Sequence, residues 1–418
     1  MNPREQRGLV IAALCKLNHD KETWIVPSQS GAEKLYRVNP MTGTCTCPDH
    51  QEGGFKCKHV YAVEFTMKRE VASDGTITET KTMTFTEKKT YRQNWPAYNA
   101  AQSVEKDRVQ ELLADLVKGI PDGPRKTTGR KPHSYADALF AMVLKVYCTL
   151  STRRSSSDLR EAHQRGYTSK EIPGMKVAAM MENPAFTPIL KELIRASAAP
   201  LASVETEFAI DSSGFSTSKF ERWYDEKYGV TRQRGVWVKV HIACGVKTNV
   251  VTAVRILDKD AADSPQFIPL VKETAREFTI GEVSADKAYT SLENFEAVAG
   301  FGGTLFAAFK TNATGAIGGL FQKMFHYFQF KQDEYLAHYH KRSNVESTFS
   351  MIKRKFGDAV RSKTETAMVN EVLCKILCHN LCVLIQEQHE LGIDAVFWKG
   401  ETKAVEAEPM VIRFPSIA

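Results

Sequence analysis

Tyr339-His340-Lys341-Arg342-Ser343-Asn344-Val345-Glu346-Ser347-Thr348-Phe349-Ser350-Met351-Ile352-Lys353 is the stretch from which the rest of the chain is best read. At ~100° per residue, a helix through it places Tyr339, Arg342, Glu346 and Lys353 within an arc of ~60°. Val345, Phe349, Ile352 and Phe356 form an apolar stripe beside that arc, suited to a core. One helix would then bury one face and hold up a carboxylate flanked by two cations and a phenol. That is a site for something anionic that also needs a metal. The same residues fit a second reading. Ser343 and Glu346 have the S-x-x-E spacing of a capping box, in which the glutamate only ties off a helix start. The stretch by itself does not choose between the two.

The chain has 418 residues, enough for two or three domains, and a formal net charge of +7. A moderate basic excess permits nucleic-acid binding without demonstrating it. Hydrophobic residues make up 43% of the sequence, ordinary for a globular protein. No uninterrupted apolar run approaches the ~20 residues of a membrane span. Leu9 to Leu14 follows Arg4 and Arg7 but is too short for a signal peptide and ends at Lys16, so it is expected as a short amphipathic helix. The nine cysteines, an odd number without an export signal, argue against a disulfide framework. These features point to a cytoplasmic protein with no membrane partner.

Three of those cysteines cluster. Cys45-Thr-Cys47 is followed after nine residues by Cys57-Lys-His59. Three thiolates and one imidazole complete a tetrahedral set for Zn²⁺ and leave no position open for chemistry. Gly53 and Gly54 let the intervening loop turn back. His50 is off the spacing and reads as a loop residue. Trp24 to Val26 and Lys34 to Val38 read as two strands before the cluster, and a helix is expected from Val60. Residues 1–70 thus form a small ββα zinc-binding module. It resembles the SWIM zinc finger, which implies a structural Zn²⁺ and binding of DNA or protein without saying which.

Residues 71–103 are rich in Thr, Lys and Glu, without lasting apolar period, and read as a linker or a short ribbon. Residues 104–203 read as a helical domain expected to bind DNA. It has an amphipathic helix from Val104 to Ile120, an apolar helix from Tyr135 to Leu150, and further helix from Leu159 and over Val177 to Ala202. Within it, Arg125 to Lys131 carries four cations, read as a solvated hinge or a phosphate-contacting arm. Thr152-Arg-Arg-Ser-Ser-Ser-Asp158 is a cationic turn between helices, of a kind that contacts DNA.

After residue 203 the period changes. Val204 to Ile210, Val236 to Ile242 and Asn249 to Leu257 read as three strands with gaps short enough for antiparallel neighbours. Ser264 to Phe278 reads as a helix, Ile280 to Ala285 as a strand, Leu292 to Ala299 as a helix and Thr304 to Phe309 as a strand. This order is that of an α/β, RNase H-like mixed sheet over 204–390, followed by a tail at 391–418. Asp211 and Asp286 each sit at the end of an expected strand, where Glu346 can approach them from a helix. Three crowded carboxylates raise one another's pKa values unless cations neutralise them. Two divalent ions ~4 Å apart serve phosphodiester chemistry, and an all-oxygen set favours Mg²⁺ or Mn²⁺. Asp258, Asp260 and Asp263 are read as loop and helix-cap residues. Cys374, Cys378 and Cys382, near His379, are read as buried thiols on one helix face, with a second metal site as the alternative.

Residues 204–390 resemble the catalytic domain of DDE transposases of bacterial insertion sequences. That family's third motif, Y-x2-R-x3-E-x6-K, is matched at every spacing by Tyr339, Arg342, Glu346 and Lys353. Asp286-Lys-Ala-Tyr289 matches its second motif, and Asp211 stands at the first-strand position. The resemblance implies that Asp211, Asp286 and Glu346 are catalytic and hold Mg²⁺. It implies that Tyr339, Arg342 and Lys353 contact DNA. It also implies cleavage at transposon ends, transfer of the freed 3′-hydroxyls into target double-stranded DNA, and a homo-oligomer acting on DNA at the nucleoid. Some relatives carry a large β-rich insertion before the glutamate. Only Lys310 to His338 fills that gap here, so no hairpin mechanism is expected.

Overall fold

The computed structural model describes residues 3–15, 17–20, 22–28, 34–71, 77–81, 94–122, 132–217, 237–257, 262–310 and 313–398. The Arg125–Lys131 stretch, Asp258, Asp260, much of the 71–103 linker and the tail beyond 398 lie outside these residues. The chain divides into two compact units, residues 1–92 and 93–418.

In the first unit, α1 (Pro3–Leu14) precedes four short antiparallel strands: β1 (Asn18–Asp20), β2 (Thr23–Pro27), β3 (Leu35–Asn39) and β4 (Thr44–Cys45). Then come α2 (Pro48–Gly53) and α3 (Lys58–Thr66). Two strands were expected and four form, because the turn at Asn39 to Thr44 folds back and pairs Cys45 with Val38. Helix α1 packs on α3 closely enough that a Cβ on Gly8 would collide with Tyr61. A ribbon, β5 (Met67–Val71) and β6 (Ile77–Lys81), follows in the stretch read as linker or ribbon.

The second unit opens with α4 (Trp95–Lys118), which starts nine residues before the expected Val104 because Asn94 accepts from the Ala97 amide as N-cap and Pro96 occupies the first turn. Helices α5 (Tyr135–Tyr147), α6 (Ser156–Gln164), α7 (Gly174–Met181) and α8 (Phe186–Ala198) follow. The break between α7 and α8 falls at Asn183-Pro184, where proline disfavours continued helix.

The sheet comprises β7 (Glu207–Ser216), β8 (Trp237–Gly245), β9 (Val251–Leu257), β10 (Glu282–Ala285) and β11 (Thr304–Ala307), in the order β11-β10-β7-β8-β9. β7, β8 and β9 are antiparallel neighbours, whereas β10 runs parallel to β7 and to β11. This is the mixed sheet expected. Between its strands lie α9 (Ser264–Thr274) and α10 (Leu292–Gly300). Beyond β11 come α11 (Gly319–Phe330), α12 (Gln332–Tyr339), α13 (Ser343–Phe356) and α14 (Glu365–Leu391). The helices before the sheet and the sheet itself share one hydrophobic core. α14 is 27 residues long and apolar enough by composition to cross a membrane, but 83% of its apolar window is buried within this core.

Candidate active site

Strand parity builds the site. β7 and β10 are in parallel register with Glu207 opposite Glu282 and Ile210 opposite Ala285, so the next residues, Asp211 and Asp286, come side by side. Neighbouring strands lie ~4.8 Å apart. Side chains two and four positions apart share a face, so Glu207 and Asp211 point the same way, as do Glu282 and Asp286. Asp211 is not at a strand end, as the sequence suggested, but midway along ten-residue β7. The strand outlasts its parallel partner because β8 continues to pair with it as far as Ser216.

The segment that crosses this face is the one quoted at the outset, and it is not one uninterrupted helix. α12 ends at Tyr339, a 3-10 turn covers His340–Arg342, and α13 begins at Ser343. Lys341 Nζ grips the near ends of both strands, 2.7 Å from Glu207 Oε2 and 2.8 Å from Glu282 Oε2. Arg342 reaches the far end, with Nη1 3.2 Å from Asp211 Oδ2 and Nη2 2.8 Å from Glu346 Oε1. The capping box does not form. Ser343 Oγ donates to His340 O instead, and the α13 start has no side-chain cap. Glu346 is therefore free to turn its carboxylate towards Asp211. Below it Val345, Phe349, Ile352 and Phe356 are all buried, as the apolar stripe requires.

The other two carboxylates act on Asp211 electrostatically. Burial raises the Asp211 pKa, and the charges of Asp286 and Glu346 raise it further, against the lowering effects of the Ser212 amide and Arg342. Asp286 accepts from the Lys287 amide at 2.7 Å. Lys353 Nζ donates to Ser213 Oγ at 2.7 Å and lies over the Phe215 ring, 5.3 Å from its centroid. A cleft of about 510 Å³ opens here, lined by Asp211, Ser213, Glu346, Phe349, Lys353 and Arg354, among others. Tyr339 ends α12 at the approach, its ring 5.6 Å from that of His340. Tyr289, the last residue of Asp286-Lys-Ala-Tyr289, is buried against Phe267.

Asp263 does not cap α9 as expected. Its side chain makes no cap hydrogen bond; Lys239 Nζ lies 2.6 Å from its Oδ1, and Ser212 Oγ donates to the same oxygen at 3.3 Å. Ser212 points to the face opposite Asp211, so this is a brace behind the site. Lys239 and Ser213 were not foreseen, because nothing local marks a strand lysine or serine as a partner for a residue so distant in the chain.

In the first unit, ligand atoms of Cys45, Cys47, Cys57 and His59 lie within 4.8 Å of one another, all four residues buried. His59 Nδ1 is 3.8 Å from both Cys45 Sγ and Cys57 Sγ. Tetrahedral zinc with ordinary Zn–S and Zn–N bonds spaces its sulfur and nitrogen ligands ~3.6 Å apart, so the four fit the ion. Hydrogen bonding to Cys57, with burial, raises the Cys45 thiol, and the same contact lowers that of Cys57. His50 bonds Phe55 O and stands outside the set. Among the described residues this is the one such cluster. His379 Nε2 bonds Asn249 O, and the buried Cys378 Sγ donates to Val143 O; Cys374 is likewise buried and Cys382 half-buried, and none of them joins a metal-ligand group among the described residues.

The mixed five-stranded sheet is RNase H-like, and the family match of this region makes it an enzyme of the polynucleotidyl transferase and endonuclease class. Residues 202–381 match the family described as the transposase DDE domain, and residues 36–68 match the SWIM zinc finger. Residues 202–381 thus form a transposase DDE domain, preceded by a SWIM finger. A solved structure of piggyBac transposase, a synaptic complex with hairpin DNA, aligns over 72% of this chain and 77% of its own, at 10% identity and a TM-score of 0.33, a likeness too slight to carry any argument. No curated protein matches the chain.

Proposed function

We propose that this protein cleaves DNA at transposon ends and transfers the freed 3′-hydroxyls into target DNA, with Asp211, Asp286 and Glu346 as the catalytic carboxylates. The observation that carries the reading is the β7/β10 register that sets Asp211 beside Asp286, with Arg342 held between Asp211 and Glu346. Such a cluster suits a divalent cation, and its all-oxygen chemistry suits Mg²⁺ or Mn²⁺. When bound, the metal would activate the attacking oxygen and stabilise the leaving one.

The chain's own groups do the rest. Arg342, already shared between Asp211 and Glu346, turns to a DNA phosphate when those oxygens are taken up. Lys353, anchored on Ser213 at the cleft wall, supplies a second phosphate contact. Tyr339 orders the backbone beside the cut. The helices of residues 104–203 contribute to DNA binding, and the protein acts as a homo-oligomer on paired ends, in the cytoplasm at the nucleoid. The SWIM unit holds one structural Zn²⁺.

Supercoiled donor plasmid carrying the DNA that flanks the gene, incubated with protein and Mg²⁺, tests this. Excision and joining are expected. Cutting without joining would mean a nuclease, and binding alone a regulator. Joining that survives Asp211→Ala, Asp286→Ala or Glu346→Ala would remove the catalytic assignment.

A further inference from the structure

The loop after α13 is tied to buried side chains of α14. Glu371, 3% exposed on α14, accepts from the Arg361 amide at 3.0 Å, the Ser362 amide at 2.8 Å and Ser362 Oγ at 2.7 Å. Lys375, 2% exposed one turn further on, donates to Gly357 O at 2.9 Å and Ala359 O at 2.8 Å. A buried ion pair is a weak source of net stability. What this pair does is fix the backbone of residues 357–362. The loop in turn fixes its neighbour, since the Arg361 guanidinium donates to Thr149 O at 2.6 Å, at the head of the turn joining α5 to α6.

Both segments present cations outward. Arg153, Arg154, Arg354, Arg361 and Lys363 are exposed. Among the described residues, no carboxylate pairs with Arg153, Arg154, Arg354 or Lys363. The other exposed arginines among the described residues of this unit are neutralised: Arg160 by Glu171, Arg165 by Asp107 and Glu161, Arg276 by Glu273. Nearby Asp158 is occupied by Lys106, leaving Asp358 and Glu365 as the exposed acids alongside. The loop starts at the cleft, where Arg354 and Asp358 form part of the lining and Ala359 bridges the end of β7 at Ser216.

We infer that the 357–363 loop and the 149–154 turn, with Arg354, form a phosphate track that carries duplex DNA away from the cleft. This rests on the reading of the cleft as a DNA-cleaving site. The backbone beneath the track is held in place before any DNA arrives, so binding orders little more than the side chains themselves.

The test is fluorescence anisotropy of the full chain with a duplex of about 30 base pairs and arbitrary sequence, without divalent cation, over a salt series. Each phosphate contact adds ~0.9 to the slope of log K against log salt. Arg153→Ala/Arg154→Ala should therefore lower the slope by ~1.8 and weaken binding ~60-fold near 0.1 M salt. The Arg153→Lys/Arg154→Lys variant should bind as wild type. If the alanine variant loses its fold by circular dichroism, Lys363→Glu replaces it, with a loss of tenfold or more expected. An unchanged slope and affinity in Arg153→Ala/Arg154→Ala or in Lys363→Glu overturns the track, and the plasmid assay then shows whether the cleft reading survives. Wild type that binds no duplex overturns both.

Discussion

Replacing Arg342 by alanine should push two properties in opposite directions. The guanidinium now occupies oxygens of Asp211 and Glu346 that a divalent cation would need. Its contact with the mostly buried Asp211 is a charge-assisted hydrogen bond, ~1.5 kcal/mol. Its contact with Glu346, whose side chain is 58% exposed, is screened to ~0.5 kcal/mol. A metal that displaces both forfeits ~2 kcal/mol, so the variant should bind Mn²⁺ ~30-fold more tightly in the absence of DNA. In the proposed mechanism the same guanidinium is released to a DNA phosphate. Losing that contact costs ~2–3 kcal/mol in the transition state and should slow cleavage ~30- to 150-fold. Electron paramagnetic resonance titration of Mn²⁺ gives the first quantity and plasmid cleavage the second. Mn²⁺ binding equal to or weaker than wild type in Arg342→Ala would refute the view that the arginine holds the metal's place.

Asp211 carries a pH signature. Its folded pKa is raised, so the metal-free fold takes up its proton more readily than the unfolded chain does. That penalises the fold once pH climbs from the ordinary carboxylate range through the raised value, and the penalty is full at neutral pH. Asp211→Asn should therefore raise the melting temperature of metal-free protein at pH 7, with the gain vanishing near pH 3, while cleavage falls at least ~1000-fold. A stability difference independent of pH would contradict this. In the first unit, zinc chelation should cost ~10–16 kcal/mol, as much as a whole domain's net stability. Hydrogen exchange should then lose protection by a factor of ~1000 or more across Thr23–Pro27, Leu35–Asn39 and Lys58–Thr66, while Glu365–Leu391 keeps its own. Cys57→Ser should behave likewise without chelator, and unchanged protection would exclude a structural metal.

What the sequence determined by itself is what local spacing controls. The C-x-C and C-x-H pairs can close on one ion because each pair sits within a turn, and the structure gathers all four ligands. The alternation in β8 and the stripe Val345, Phe349, Ile352, Phe356 announce strand and helix because burial repeats with the pitch of the element. Even the order of strands and helices was enough to name a mixed sheet. Only the tertiary structure decided which charges meet. Ser343 and Glu346 satisfy the local rule for a cap, yet Glu346 turns to Arg342 because Asp211 stands opposite. Asp263 satisfies the rule for a helix start, yet it pairs with Lys239 from a strand 24 residues earlier. Glu371 and Lys375 read as a routine i,i+4 pair until α14 is buried and the loop lies over them. Spacing rules see neighbours along one element. The register of β7 against β10 sets Asp211 beside Asp286, and Arg342 ties Glu346 to Asp211; those pairings lie between residues too far apart in the chain for any local pattern to encode.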